Sequence, residues 1–307
     1  MDHLIPIDEN LLDFLFVLGE NGGIYPYSHS LLVKITKKEA VLFDSGFGHA
    51  RVKKILNEFN ITKVILSHWH EDHISGNYLL RKKQAEFYSH PLDARLLRDI
   101  NQFQTFYDTS GSSVEKYFQE ILLSMKLENL LNIQEVNDNM MIKLGDAFTM
   151  KVIHTPGHSA GHCCFYEPKI HLIFLADIDL SGLGPWYGCL DSDLEDCIKS
   201  INRLIQMDIE YAISSHKGIF IGKTEINSQL LKFLNVIDLR DNKILEELSE
   251  SKPRSIEDLI GKGIIYRNYK QMREYLFIAE KQMISKHVTR LVERGTVLKS
   301  ENRFILS

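Results

Sequence analysis

The sequence predicts an α/β (α+β) domain over residues 1–222, followed by a smaller, mainly helical domain over 223–307. Short apolar runs alternate with amphipathic stretches along the first part, which is how strands and helices interleave in layered α/β folds. A strongly helical pattern then fills the remainder, and the charge changes sign with it. Residues 250–307 hold twelve Lys and Arg against seven Asp and Glu, a net of +5; the chain as a whole carries −5, so residues 1–249 carry −10. At 307 residues, 44% of them hydrophobic and 25% charged, the chain is an ordinary globular sequence long enough for a large core. The net charge implies no general attraction to nucleic acid or anionic membrane. The longest apolar runs, such as 11–19, are too short to span a bilayer, so no membrane role is expected. The chain opens without a secretory pattern, and Cys163, Cys164, Cys189 and Cys197 form no C-x-x-C pair, so a cytoplasmic location is expected.

Taken in order, "EAVLF" (39–43), "KVILS" (63–67), "AEFYS" (85–89), "FTMKVI" (148–153), "HCCFY" (162–166), "HLIFLA" (171–176) and "EYAIS" (210–214) are short and rich in Val, Ile, Phe and Tyr, and are expected as strands. Residues 49–59 and 191–206 are expected as helices; in the second, Leu194, Ile198, Ile201 and Ile205 recur at helical spacing, with Asp191 or Ser192 as N-cap. A helical insertion is expected at about 91–131. Beyond residue 222, helices are expected over 225–250, 255–263 and 280–295, with a hairpin over 296–306.

Polar residues fall at the ends of the expected strands. Asp44 follows the first; His68, His70, Asp72 and His73 follow the second; His158 follows "FTMKVI" after the turn at 154–157; Asp177 and His216 end the last two. Rigid strands that deliver side chains to loops at one edge are how a fold fixes a reactive centre. In "SHWHEDH" (67–73), His68 and His70 lie two apart and can share one side of an extended loop. A chance H-x-H-x-D-H in this chain has odds on the order of one in a thousand. Imidazole and carboxylate are suitable ligands for a borderline divalent cation, zinc before iron or manganese. Five histidines and two aspartates exceed one tetrahedral site but suit two cations sharing a carboxylate, with a bridging hydroxide as nucleophile.

With "SHWHEDH" (67–73), "HTPGHSAGH" (154–162), "LADI" (175–178) and "SSHKG" (214–218) in this order, and "VLFDSG" (41–46) before them, the chain resembles the metallo-β-lactamase-fold hydrolases over roughly residues 10–222. The resemblance implies an αββα sandwich with metals at one edge. It implies that His68, His70 and His158 hold one metal, that Asp72, His73 and His216 hold the other, and that Asp177 bridges them, with Asp179 as the alternative bridge. Asp44 matches an acid that orients a ligand histidine. Asp72 and Asp177 are then the catalytic carboxylates. Two departures stand out: Ala176 precedes Asp177 where the family often has Gly, and Lys217 follows His216.

Trp186 and Tyr187, in the Gly/Pro-punctuated loop 182–188, are expected as substrate contacts. Phe103, Phe106, Tyr107, Tyr117 and Phe118 of the insertion are expected chiefly to pack it onto the sheet. The C-terminal segment resembles a winged-helix module, with Lys286, Arg290 and Arg294 on one helix face. A solvated or packing face, homodimerisation included, is favoured there over a nucleic-acid contact. The leading expectation is a dinuclear hydrolase of a small ester, thioester or lactone. The alternatives are a phosphodiesterase or ribonuclease and a catalytically silent metal-binding regulator.

Overall fold

In the computed structural model, residues 3–248, 253–269 and 273–307 are described. β1 (Leu4–Pro6), β2 (Phe14–Val17), β3 (Ser30–Lys34), β4 (Glu39–Phe43), β5 (Asn60–Ile65), β6 (Glu86–Ser89) and β7 (Ile133–Glu135) form one sheet in chain order, antiparallel as far as β4 and parallel beyond it. β8 (Met141–Lys143), β9 (Thr149–His154), β10 (Cys163–Glu167), β11 (Leu172–Ala176), β12 (Tyr211–Ser214) and β13 (Gly218–Ile221) form the second, antiparallel except for β11 beside β12.

The strands read as near-continuous apolar runs because both of their faces are covered. Leu31, Val33, Val41 and Phe43 face Cys163, Phe165, Leu172 and Phe174 in a core between the sheets. The residues between them point the other way. Leu32, Ala40 and Leu42 meet α1 (His49–Glu58), α2 (Glu71–Ile74), α3 (Asn77–Arg81) and the insertion helices α4 (Pro91–Arg98), α5 (Phe103–Phe106) and α6 (Glu115–Ser124). Cys164, Ile173 and Leu175 meet α7 (Leu194–Ile205), α8 (Lys223–Glu247) and α10 (Arg273–Glu293). The result is the four-layer αββα sandwich. Each large side chain so buried contributes roughly 1.5–3 kcal/mol. The same outer core continues past residue 222 without a break, through Ile226, Phe233 and Ile237 of α8 to Met283, Ile284 and Val288 of α10.

Several boundaries differ from expectation. The N-cap of α7 is Asp193, whose extended backbone lets its side chain accept from Asp196 N; the Asp191 carboxylate is instead occupied by Trp69 Nε1 and Ala160 N. The segment expected as a helix over 255–263 forms one turn, α9 (Ile256–Leu259), with Ser255 and Asp258 as a capping box, and stops before Gly261 and Gly263, both at positive φ. Among the described residues α10 is already helical at Arg273, ahead of the expected 280. The last two residues of the helix expected over 225–250 lie outside the described residues. β14 (Val297–Ser300) and β15 (Arg303–Leu306) form the expected ribbon. No helix of the described residues is long and apolar enough to cross a membrane.

Candidate metal centre

The C-terminal ends of β4, β5, β9, β11 and β12 meet at one edge of the sandwich, where the two sheets are joined directly by Cys163 N donating to Ser67 O at 2.9 Å and His29 N to Ser215 O at 2.7 Å. A bulge between Phe174 and Ala176 shifts the β11–β12 register, and the pairing closes at Ala176 and Ser214, just before Asp177. Ala176 itself is left-handed, with φ 50°, which explains why glycine is common at this position of the family and what a Cβ costs here. Gly46 is required by proximity: a Cβ on it would lie 1.4 Å from the carbonyl oxygen of Asp72.

Seven expected residues converge in two groups, His68, His70, His158 and Asp177 in one and Asp72, His73 and His216 in the other, with the ligand atoms of each group within 4.8 Å of one another. His158 Nε2 lies 3.2 Å from His68 Nε2 and 2.8 Å from His70 Nδ1. Asp72 Oδ2 lies 3.7 Å from His73 Nε2 and 3.5 Å from His216 Nε2. Asp177 stands between the groups. Its Oδ2 is 3.2 Å from His158 Nε2, while its Oδ1 is 3.0 Å from His73 Nε2 and 3.4 Å from His216 Nε2. Asp179 is turned aside, its Oδ1 accepting from Ser181 N.

Each of the five rings has a partner for its other nitrogen. His73 Nδ1 donates to Asp44 Oδ2 at 2.8 Å, His158 Nδ1 to Trp186 O at 3.0 Å and His216 Nδ1 to Gly23 O at 2.7 Å. His70 Nε2 faces Cys189 Sγ at 3.5 Å. The Ser67 hydroxyl donates to Asp44 Oδ2, which leaves its oxygen to accept from His68 Nδ1 at 2.9 Å. These partners set each tautomer so that a lone pair faces the centre, the arrangement ligating imidazoles need.

The electrostatics agree with the geometry. Burial pushes His68, His70 and His158 below the usual imidazole range, leaving neutral rings. Burial acts the same way on His73 and His216, but Asp177, Asp72 and their hydrogen bonds prevail; His73 is held well above that range and His216 rises to about 9. The acids on this side therefore demand positive charge. His73 Nε2 and Asp177 Oδ1 are also buried without a conventional hydrogen-bond partner, a costly state that a shared cation relieves. The donor set, nitrogen with carboxylate oxygen, fits divalent cations.

Over the centre lies a cavity of about 430 Å3, walled by Tyr25, Tyr107, Trp186, Tyr275 and Leu276. Glu71 anchors two of these walls, accepting from Tyr25 Oη at 2.8 Å and Tyr107 Oη at 2.5 Å. Of the insertion aromatics, Tyr107 alone reaches the cavity; Phe103 and Phe118 are buried in the core, as the packing expectation had it. Tyr187 does not reach it. It is fully buried, its hydroxyl held by His287 Nε2 and Arg240 Nη1. Of the two expected contacts, Trp186 lines the cavity and Tyr187 does not. The expected basic face of α10 is also corrected: Lys286 donates to Cys189 O, and Arg290 is buried among Glu195, Asp238 and Asp241, which leaves only Arg294 exposed.

Residues 26–216 match the model of the metallo-beta-lactamase superfamily. The chain belongs to that superfamily and is a metal-dependent hydrolase. It is similar to an atrochrysone carboxyl ACP thioesterase of Pseudocercospora fijiensis, 24% identical over 280 residues, which are 88% of this chain and 71% of that one. In fold it matches a metallo-beta-lactamase family protein of Thermus thermophilus, with a TM-score of 0.72 at 18% identity over 100% of this chain and 99% of that one. A beta-lactamase domain protein of Burkholderia ambifaria matches with a TM-score of 0.75 at 14% identity, over 99% and 94%. Both structural matches run through the C-terminal segment, so the fold of the whole chain recurs.

Proposed function

We propose that the chain is a dinuclear hydrolase of a small ester, thioester or lactone. The observation that carries the reading is the placement of Asp177, one carboxylate oxygen toward each histidine group. Two divalent cations, zinc by the donor set with iron or manganese as substitutes, would supply a nucleophile at neutral pH and an electrophile for the attacked carbonyl. His68, His70 and His158 would hold one, Asp72, His73 and His216 the other, with Asp177 shared. Asp72, which also lines the cavity, moves the proton. Trp186, Tyr107, Tyr25 and Tyr275 exclude water and orient a flat acyl group. The cavity volume suits a small molecule, and the thioesterase name of one relative supports a carbonyl substrate. The engagement of Lys286 and Arg290 within the fold weighs against a nucleic-acid grip on that helix face.

The test is hydrolysis by protein of measured metal content, on a carbonyl panel (thioester, lactone, aryl ester) and on an aryl phosphodiester. Turnover of the carbonyl panel is expected. Preference for the phosphodiester would replace this reading with the nuclease one. Asp177→Asn is expected to lower kcat on the order of a thousandfold and to loosen at least one metal with the fold intact. Unchanged turnover would remove Asp177 from its shared role.

A further inference from the structure

We infer that the C-terminal segment is a working part of the active site, in which Arg240 of α8 positions the 183–187 loop and, through the Trp186 carbonyl, the imidazole of His158. This rests on the reading of His158 as a ligand.

The loop has no scaffold of its own. Among the described residues, positions 185–188 belong to no helix or strand and make no backbone–backbone hydrogen bond. Apart from the bond of His158 to Trp186 O, the hydrogen bonds that hold them come from beyond residue 222. Arg240 is 2% exposed and spreads its guanidinium over three acceptors: Nη1 donates to Pro185 O at 2.6 Å and Tyr187 Oη at 2.7 Å, and Nη2 to Leu183 O at 2.6 Å. Trp186 sits between the two residues that Nη1 grips. Its indole Nε1 donates to Tyr266 Oη at 2.8 Å, a second tether from the same segment. Tyr187 Oη also meets His287 Nε2 at 2.6 Å, and His287 Nδ1 is held by Asp241 Oδ1 at 2.6 Å. Asp241 in turn faces Arg290. A rigid fork of donors is the side chain suited to fixing several carbonyls at once.

Trp186 O, so held, accepts from His158 Nδ1 at 3.0 Å. With Pro185 O, the Trp186 indole and the Tyr187 hydroxyl each tethered, the short backbone between them has little freedom to turn this carbonyl. That direction selects the His158 tautomer with its Nε2 lone pair toward His68, His70 and Asp177. The loop lies against a ligand ring and the cavity at once: the Trp186 ring is 5.5 Å from His158 and from His70. Arg240 is therefore a positioning residue, acting through Trp186.

The test uses the full chain with Arg240→Met, Arg240→Lys and the milder Tyr187→Phe. Zinc binding is measured by competition with a chromophoric chelator, below each variant's Tm, beside kcat, KM and the imidazole nitrogen NMR signals of 15N-labelled protein. In Arg240→Met one of two zinc equivalents is expected to weaken about 10–100-fold while the other is unchanged, with kcat falling and KM moving less. The His158 Nδ1–H signal is expected to be lost or shifted. Arg240→Lys falls between this variant and wild type, because the charge survives and the fork does not. Tyr187→Phe weakens the same equivalent a few-fold. A merely structural arginine would lower Tm and leave zinc affinity and the His158 signal as in wild type; that result overturns the inference. If the Arg240 variants do not fold, wild-type affinity and His158 signal in Tyr187→Phe overturn it instead. If wild type takes up no zinc, the reading of the centre fails, and the His158 signal alone decides the positioning.

Discussion

The two ligand groups are built from similar side chains but anchored in different ways. His73 and His216 lean on a carboxylate and a carbonyl, Asp44 at the end of β4 and Gly23 in the loop between β2 and β3. His70 and His158 lean on a thiol and a carbonyl, Cys189 and Trp186, carried on an irregular stretch. That stretch is held from the outer helical layer, by Arg240 of α8 on one side and by Lys286 Nζ of α10 on Cys189 O at the other. From α4, Asp93 ties the two loops of this group, accepting from Trp69 N, Ser159 Oγ and Gly161 N. The second group is thus held from the β2–β4 region, whereas two of the three rings of the first depend on one irregular stretch tied to the outer helices. Damage far from the centre should reach the first group before the second.

Asp44→Asn would break the comparison most strongly, because Asp44 supports both groups through His73 and through Ser67 beneath His68. Both metal equivalents are expected to weaken about 10–100-fold, read by chelator competition. Loss confined to one equivalent would show the Ser67 route to be idle. Asp93 provides a pH handle on the first group. Burial, then Asp191, raises its carboxyl from 3.8 to about 8. The folded state therefore holds a proton there that the unfolded chain releases, and the corresponding stability, complete below about pH 4, is lost as pH rises to about 8. Urea midpoints at pH 5 and pH 8 should differ less in Asp93→Asn than in wild type; equal slopes would remove Asp93 as the source. Cys189→Ala carries the smallest effect. It is expected to loosen only the first equivalent, about two- to threefold, the worth of one weak hydrogen bond.

The convergence of the candidate ligands was legible because their side chains cluster at fixed offsets and at strand ends, which a one-dimensional reading can detect. The strands were legible because β-rich apolar runs bounded by polar turns have few other uses. What supports the centre was not. Trp186 O and Gly23 O are backbone atoms and leave no mark in residue type. Glu71 stood in the motif, yet its two tyrosines lie 46 and 36 residues away on either side. Arg290 and Lys286 have helical spacing that fits a solvent-facing basic stripe, and only tertiary packing shows acids and a carbonyl already waiting for them. Tyr187 and Trp186 are neighbours of similar chemistry, and only the tertiary partners of Tyr187, Arg240 and His287, show that it packs away from the cavity.

The ligands hang from strand ends spread across both sheets, and that has a consequence for how the chain is made. His68 leaves the ribosome about 150 residues before His216, on the order of ten seconds at ordinary rates of synthesis. During that interval His158 and Asp177 arrive first, while Asp72 and His73 still lack His216, and Arg240 is later still. Under the proposed reading, capture of both cations would therefore follow synthesis of residue 216, and a chain truncated between residues 177 and 216 should hold one cation where the whole chain holds two.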